Sequence, residues 1–528
     1  MVPTHRLPIG AVVGTTSNPM NESHENKSIE SGAAARPSLT TQVTRGFLWM
    51  LGQTLGSKIF SFATQIILAH ILARSDFGLI ALAYTAVAFA GVIRQTGIQQ
   101  ILIQRHKHFR RWANPAFWFE LTIGIATAVL LAATSPIAAK IFHSRTLIGL
   151  ILIIASAAPL SPWFVIPTAR LTIDLRFRAI AAANIAYNFI AMAVSIFLAW
   201  RGCGAYSFVI PLPIAGAIRA FWLWRLAKPR VGLNPQFRRW KFLFKDSGFL
   251  LATGFLNSVM YQSGSFVLGL VYSKSVVGQF FLAFNLSTQI SQLLSQNVLT
   301  VLLPAFARIQ QQAQRHASAF LQASRMLAFA SVPPCILLAV VAKPIVLLAY
   351  GQKWAPAVPV LQALALAAVL YVPSSPAITA MQSQGRFRQL FLWTLTQTGV
   401  YIFVAWLGSY AAGAPGVAIA ILGYSALTSP VMIRIALRSK SRWGDVAGVY
   451  YGPVLAGIAA FAPLGIVYLA FPWLVDRNLE WLGLSIVIPA IIFPFAAKLF
   501  CPAEFKILRG YITAGLEGIR LRKSRRPG

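Results

Sequence analysis

Long apolar runs recur along this chain from residue 45 to residue 500. Each is about 20 residues long, and a helix of that length, rising about 1.5 Å per residue, spans the roughly 30 Å hydrocarbon core of a bilayer. Hydrophobic residues make up 57% of the 528 and charged residues only 11%, whereas soluble domains are usually about 45–50% apolar and about 25% charged. Because the runs lack the two-residue alternation of strands, helices must satisfy the backbone within lipid. The sequence therefore predicts an all-α polytopic membrane protein.

The apolar runs divide the chain into five predicted regions. These are a disordered, polar cytoplasmic tail at 1–42, a first six-helix lobe at 43–245, a second six-helix lobe at 246–437, two additional transmembrane helices at 438–500 and a basic cytoplasmic tail at 501–528. The expected bounds of fourteen transmembrane helices are 47–71, 78–102, 114–138, 147–168, 179–200, 204–224, 248–271, 278–303, 326–350, 356–380, 389–410, 413–434, 446–470 and 481–500.

The basic residues alternate between successive loops. With the N-terminus placed inside, the even-numbered loops and the C-terminal tail hold 30 Lys and Arg residues, whereas the odd-numbered loops hold 7. Cytoplasmic loops of membrane proteins carry such an excess of Lys and Arg. We therefore predict that both termini are cytoplasmic. Membrane topology, rather than binding to nucleic acid, then accounts for the net charge of +34.

A short transition from polar to apolar sequence occurs twice in the chain. The stretch "RSDFGLIALAY" at 74–84 corresponds without gaps to "KSVVGQFFLAF" at 274–284. This offset of 200 lays predicted helices one and two on helices seven and eight, and "LRFRAI" at 175–180 corresponds similarly to "GRFRQL" at 385–390. Six helices per copy give both copies the same orientation, related by an axis along the membrane normal. The pattern predicts two lobes around a central cleft.

Polar side chains form one stripe in each predicted lobe. The spacing i, i+4, i+7, i+11 places each set on one face of a helix. The first stripe comprises Thr54, Lys58, Ser61 and Gln65, and the second comprises Asn285, Gln289, Gln292 and Gln296. Polar residues in membrane helices often bond neighbouring helices. Two such stripes also suit a hydrated cavity, and we hypothesise that they line one.

Ionisable residues fall inside several of the predicted spans. A cation within the bilayer costs about 2.5–3.5 kcal/mol on insertion scales, so it usually has a function. We predict that substrate is bound by three cations and four amides, namely Lys58, Arg94, Arg219, Gln65, Gln289, Gln292 and Gln296. For Glu120 we predict either an ion pair or a role in coupling. Such a cavity suits an anionic ligand with many hydroxyl groups.

The opening of the first lobe resembles a known family. "RGFLWMLGQTLGSKIFSFATQIILAHILARSDFGLIALA", followed by "GIQQILIQR", is similar to the start of Wzx-type bacterial polysaccharide flippases of the multidrug/oligosaccharidyl-lipid/polysaccharide superfamily. Further similar stretches are "LRFRAI" and "YGQKWAPAVPVLQ", and the resemblance covers about residues 43–500. The resemblance implies two six-helix lobes with two extra helices. It also implies transfer of oligosaccharides linked to undecaprenyl diphosphate across the inner membrane.

Several other functions stay open at this point. Carboxylates within the helices would indicate a multidrug exporter of the same superfamily. A membrane glycan polymerase or ligase would need a larger outside loop. A scaffold that does not transport is a third alternative. No P-loop of the form G-x-x-x-x-G-K-[ST] is present, and we predict no enzyme activity, catalytic residue, metal or cofactor. The expected partners are the lipid-linked oligosaccharide and membrane lipid, with a polysaccharide polymerase and a chain-length regulator as candidates.

Overall fold

A computed structural model describes most of the chain. It covers residues 39–90, 98–104, 108–229, 231–232, 234–237, 240, 248–437, 442–471, 473, 477–507 and 509–510. Most of both predicted tails therefore lies outside the described residues. Within the described ranges the regular elements are all helical, as the sequence predicts.

The helices are numbered here in chain order. They are α1 (Leu39–Ile71), α2 (Arg74–Ala90), α3 (Ile98–Gln104), α4 (Phe109–Ile141), α5 (Thr146–Ser156), α6 (Ser161–Ile173), α7 (Phe177–Trp200), α8 (Tyr206–Val209), α9 (Pro211–Ala227), α10 (Gly248–Val271), α11 (Lys274–Arg308), α12 (Ala313–Val340), α13 (Ala342–Tyr350), α14 (Val358–Tyr371), α15 (Pro376–Ser383), α16 (Phe387–Leu437), α17 (Trp443–Ala470) and α18 (Asn478–Phe500). Short 3₁₀ turns at Ala158–Leu160, Gln352–Ala357 and Val372–Ser374 connect some of them.

Nine helical stretches of the described chain are long and apolar enough to cross a membrane. They are Phe109–Ile141, Thr146–Ile173, Phe177–Trp200, Tyr206–Ala227, Ala313–Val340, Gln352–Ser383, Phe387–Leu437, Trp443–Val467 and Asn478–Phe500. The helices with polar stripes, α1 and α11, are not among these nine. The multi-pass helical architecture is confirmed, and the count of fourteen spans stays a prediction.

Two predicted spans meet within α16. Ala412 and Gly413 have non-helical backbone angles, and Gly413 has a φ of 60°, which glycine adopts without a steric penalty. The rings of Tyr401 and Tyr424 lie 5.1 Å apart, although 23 residues separate them, so the chain folds back on itself. The reversal falls at the boundary that the sequence predicts between spans ending at 410 and beginning at 413.

The two similar segments, 74–84 and 274–284, pack directly against each other. A Cβ added at Gly78 would overlap the backbone oxygen of Lys274, and one added at Gly278 would overlap the backbone oxygen of Arg74. These four residues correspond in pairs at the offset of 200. The contact between α2 and α11 is therefore reciprocal, as a two-fold axis between parallel repeats requires. Only glycine allows the two backbones this close.

A second contact joins the two halves near the same ends of these helices. The Lys353 Nζ donates to the backbone oxygens of His70 at 3.0 Å and Leu72 at 2.8 Å. Trp354, which is fully buried, donates its indole N–H to the backbone oxygen of Ala69 at 3.1 Å and packs edge-on against Phe77. We call Lys353 and Trp354 the latch. The ammonium caps carbonyls at the C-terminal end of α1, where a positive charge is favourable.

We call the close contact at Gly78 and Gly278 the glycine crossing. It predicts that replacing glycine by alanine has a different effect there than at a glycine with open space around it. Gly78→Ala or Gly278→Ala should lower the thermal unfolding midpoint in detergent or nanodiscs, because overpacking costs about 1–3 kcal/mol. Gly399→Ala is the matched control, since it lies within α16 and nothing occupies the space around its added Cβ. That control should leave stability unchanged or raise it by up to about 1 kcal/mol. Equal responses at positions 78 and 399 would contradict the close approach.

The latch predicts a change in exposure at Ala69, which is fully buried. In a variant that lacks the three native cysteines, a membrane-impermeant maleimide should label Ala69→Cys slowly. Adding Lys353→Ala removes the bonds of a charged donor, so labelling should accelerate by about tenfold. Lys140→Ala, an exposed lysine at the end of α4, should have no effect. An unchanged rate in the Lys353→Ala variant would contradict a latch that holds the halves together.

Candidate functional site

The two predicted polar stripes meet in the structure. The side-chain amide of Gln289 donates to the side-chain oxygen of Gln65 at 3.3 Å, and the Lys58 ammonium donates to that of Gln292 at 3.4 Å. Lys58 and Gln65 are two helical turns apart on α1, and Gln289 and Gln292 are three residues apart on α11. Each pair therefore occupies one helix face. The hydrogen bonds join the first half of the chain to the second across antiparallel helices.

Further polar groups surround this cluster. Asn188 of α7 donates to the Ser57 hydroxyl of α1 at 2.9 Å. On the other side, the Tyr261 hydroxyl of α10 lies close enough to the side chain of Gln292 to interact with it. Lys58, Gln65, Gln289 and Gln292 are all half-buried. An ammonium has three donors, so Lys58 has capacity for an anionic group beside its bond to Gln292.

The described contacts of Arg219 and Glu120 are with other residues of the first half. The Arg219 guanidinium packs over the rings of Phe164 at 5.1 Å and Tyr187 at 5.6 Å. Glu120 is buried in α4, and the Ser161 hydroxyl at the start of α6 donates to its carboxylate at 3.1 Å. The structure therefore does not add these residues to the cluster around Lys58. A role for Arg219 in binding and one for Glu120 in coupling or an ion pair stay predictions.

Two other predicted residues cannot be placed. Arg94 lies outside the described residues. Gln296 lies on α11, but its side chain is outside the described part. The predicted stripe residue Asn285 bonds the backbone oxygen of Phe281 on its own helix at 2.9 Å.

The second half contains a cavity that was not predicted from the sequence. Its volume is about 160 Å³, and it lies among α10, α11, α14 and α16. The lining residues are uncharged and include four tyrosines, namely Tyr261, Tyr371, Tyr401 and Tyr424. Tyrosines within apolar runs carry hydroxyl groups that need partners in lipid, and that signal could have indicated a polar hollow. In the part of the chain that the structure describes, no group of three His, Cys, Asp or Glu residues could hold a metal ion.

Comparison with known proteins identifies the family. A family model described as "Polysaccharide biosynthesis protein" matches residues 67–359. The match spans more than half of the chain and includes the glycine crossing and the latch. This chain belongs to the polysaccharide biosynthesis protein family. Its resemblance to Wzx-type polysaccharide transporters is thereby confirmed.

Curated relatives of this polysaccharide biosynthesis protein are named for transport and polysaccharide assembly. The succinoglycan biosynthesis transport protein ExoT of Rhizobium meliloti is 26% identical over 375 residues, covering 70% of this chain and 74% of ExoT. The teichuronic acid biosynthesis protein TuaB of Bacillus subtilis is 24% identical, covering 70% of this chain and 80% of TuaB. The lipopolysaccharide biosynthesis protein WzxC of Escherichia coli is 23% identical, covering 75% of this chain and 82% of WzxC.

Solved structures show the same fold. An inward closed conformation of the lipid II flippase MurJ has a TM-score of 0.67 at 15% identity, covering 86% of this chain and 98% of MurJ. An inward-facing multidrug resistance transporter of the MATE family has a TM-score of 0.56 at 14% identity, covering 73% of this chain and 96% of that one. With the relatives and the apolar helices, these findings make the chain a multi-pass membrane transporter of polysaccharide biosynthesis rather than an enzyme.

The contact between the stripes predicts coupled stabilities. In a double-mutant cycle, Gln65→Leu and Gln289→Leu should interact by about 0.6 kcal/mol and by no more than about 1.7 kcal/mol, the range for hydrogen bonds between membrane helices. Unfolding of the purified protein in detergent micelles measures the four free energies. The control cycle pairs Gln65→Leu with Thr396→Val, an exposed position on α16, and should be additive. Additivity in both cycles would contradict the hydrogen bond between α1 and α11.

Proposed function

We propose that this polysaccharide transporter is a flippase for lipid-linked oligosaccharides. Its substrate would be an oligosaccharide joined to undecaprenyl diphosphate, moved from the inner to the outer leaflet of a bacterial inner membrane. The product would serve exopolysaccharide or lipopolysaccharide synthesis; the relatives ExoT and WzxC are named for succinoglycan and lipopolysaccharide biosynthesis. Both termini would be cytoplasmic, in line with the alternation of basic loops.

The joined stripes carry this proposal. Lys58 lies on α1 of the first half, and its described partner in the second half is the amide of Gln292 rather than a carboxylate. A cation without a neutralising carboxylate is costly within a bilayer, and a bound diphosphate would offset that cost through charge-assisted hydrogen bonds. The amides of Gln65 and Gln289 supply both donors and acceptors for sugar hydroxyls.

Transport would proceed by alternating access to this cluster. The latch and the glycine crossing join the halves at the end that the charge pattern predicts to lie outside. Opening that end requires these contacts to separate while the opposite ends of the helices approach. The polyprenyl tail would stay in lipid, and an ion gradient or the membrane potential would drive the cycle. A polysaccharide polymerase and a chain-length regulator are the proposed partners on the product side.

Two alternatives receive less support from the site. An exporter of cationic drugs would place a carboxylate between the halves, whereas the described stripes hold an ammonium and amides. A glycan polymerase or ligase is an enzyme, whereas the relative ExoT is named as a transport protein. We therefore favour the flippase over both.

Reconstitution in vesicles tests the flippase directly. Undecaprenyl diphosphate carrying a short fluorescent oligosaccharide is placed in both leaflets, and an impermeant quencher reports its movement between them. The wild-type chain should accelerate this movement. Lys58→Gln should slow it by about tenfold or more, because a hydrogen bond to a charged group contributes about 1.5–3 kcal/mol.

Lys140→Gln removes the same charge from an exposed position and should leave the rate unchanged. A wild-type chain that does not accelerate movement would overturn the proposed function. Equal rates for wild type and Lys58→Gln would show that the diphosphate is held elsewhere.

A further inference from the structure

The cavity in the second half has room for one ring. Its volume is about 160 Å³, and an apolar cavity of roughly 150 Å³ admits one benzene molecule. Two pairs of aromatic rings form part of its wall. Tyr401 and Tyr424 meet edge-on at 5.1 Å, and Tyr261 and Phe284 meet in the same way at 5.4 Å. The cavity therefore offers broad, flat apolar faces to a six-membered ring.

Hydroxyl groups between these rings are arranged as acceptors. Thr288, Ser425 and Thr428 each donate their proton to a backbone oxygen of their own helix at 2.8 to 2.9 Å. A hydroxyl that has donated its proton keeps lone pairs for an incoming donor. The wall therefore combines apolar faces with acceptor oxygens, and none of its described lining residues is charged.

This chemistry selects among the ligands that a transporter of this class would meet. A hard metal ion would usually take carboxylate ligands, and a phosphate would require a cation. An isoprenoid chain would leave the acceptor oxygens without a partner, which is costly in an apolar surrounding. A neutral ring with hydroxyl donors on its edge and apolar faces fits both features of the wall. A sugar has that chemistry.

The cavity lies near the Lys58 ammonium. Tyr261 lines the cavity and lies beside the side chain of Gln292, and Gln292 accepts from the Lys58 ammonium. A group held at Lys58 and a group held in the cavity would therefore be close neighbours. In a lipid-linked oligosaccharide the first sugar is bonded directly to the diphosphate.

We propose that the tyrosine-lined cavity of the second half is a subsite for the sugar ring attached to the diphosphate. This inference rests on the proposed flippase function. The first sugar enters between the rings of Tyr261 and Tyr401 while Lys58 holds the diphosphate. The cavity, rather than the stripes, then discriminates among substrates by their first sugar.

Binding of two kinds of probe separates this inference from the flippase proposal. The affinity of the full chain in nanodiscs is measured for undecaprenyl diphosphate alone and for the same lipid carrying one glucose, galactose or N-acetylglucosamine. At least one sugar should tighten binding. The double variant Ser425→Ala, Thr428→Val should reduce that gain by about tenfold, since each bond is worth about 1 kcal/mol, and should leave binding of the bare lipid unchanged.

Thr396→Val is the matched control. Thr396 makes the same kind of bond to its own helix, to the backbone oxygen of Leu392, but lies exposed on α16. In the Thr396→Val variant, the sugar should therefore tighten binding of the lipid by the same factor as in wild type. A gain that survives in the double variant, or no gain with any sugar, overturns the subsite while leaving the flippase proposal intact. Failure of the bare lipid to bind overturns both.

Discussion

The close approach of two glycines determines the distance between the halves of this transporter. Side chains at positions 78 and 278 would collide with backbone oxygens of the facing helix, so α2 and α11 can cross this tightly only with glycine at both positions. Because α1 leads directly into α2, the same crossing brings the long side chains of α1 within reach of those of α11. The amide and ammonium side chains of the two helices are then within hydrogen-bonding distance. A polar cluster in the interior thus depends on a backbone contact near the helix ends.

Features whose signal repeats along the chain could be predicted from the sequence. The offset of 200 predicted the correspondence of residues 74–84 with 274–284, and the eleven-residue spacing predicted that Lys58 and Gln65 share one face. Contacts between residues far apart in the chain could not be predicted in this way. Nothing near Lys353 indicates that its ammonium reaches backbone oxygens at 70 and 72. The tyrosine cavity likewise needs four helices to be placed together before its wall exists.

The arrangement suggests why the described contact between the two stripes is polar without being acidic. Amides bond one another and remain neutral, so the stripes can hold the halves together when no substrate is present. The contacts of Lys58 and of Gln65 are 3.4 and 3.3 Å long, which are weak bonds that a stronger acceptor can replace. A diphosphate is such an acceptor. Its entry would exchange bonds between the halves for bonds to substrate, and that exchange would link binding to movement of the halves.

Structure determination with undecaprenyl diphosphate bound tests this account most directly. The account predicts density for the diphosphate between α1 and α11, within hydrogen-bonding distance of the Lys58 ammonium and in place of its bond to Gln292. Diphosphate density that lies away from Lys58, with the bonds between the two stripes intact, would contradict it.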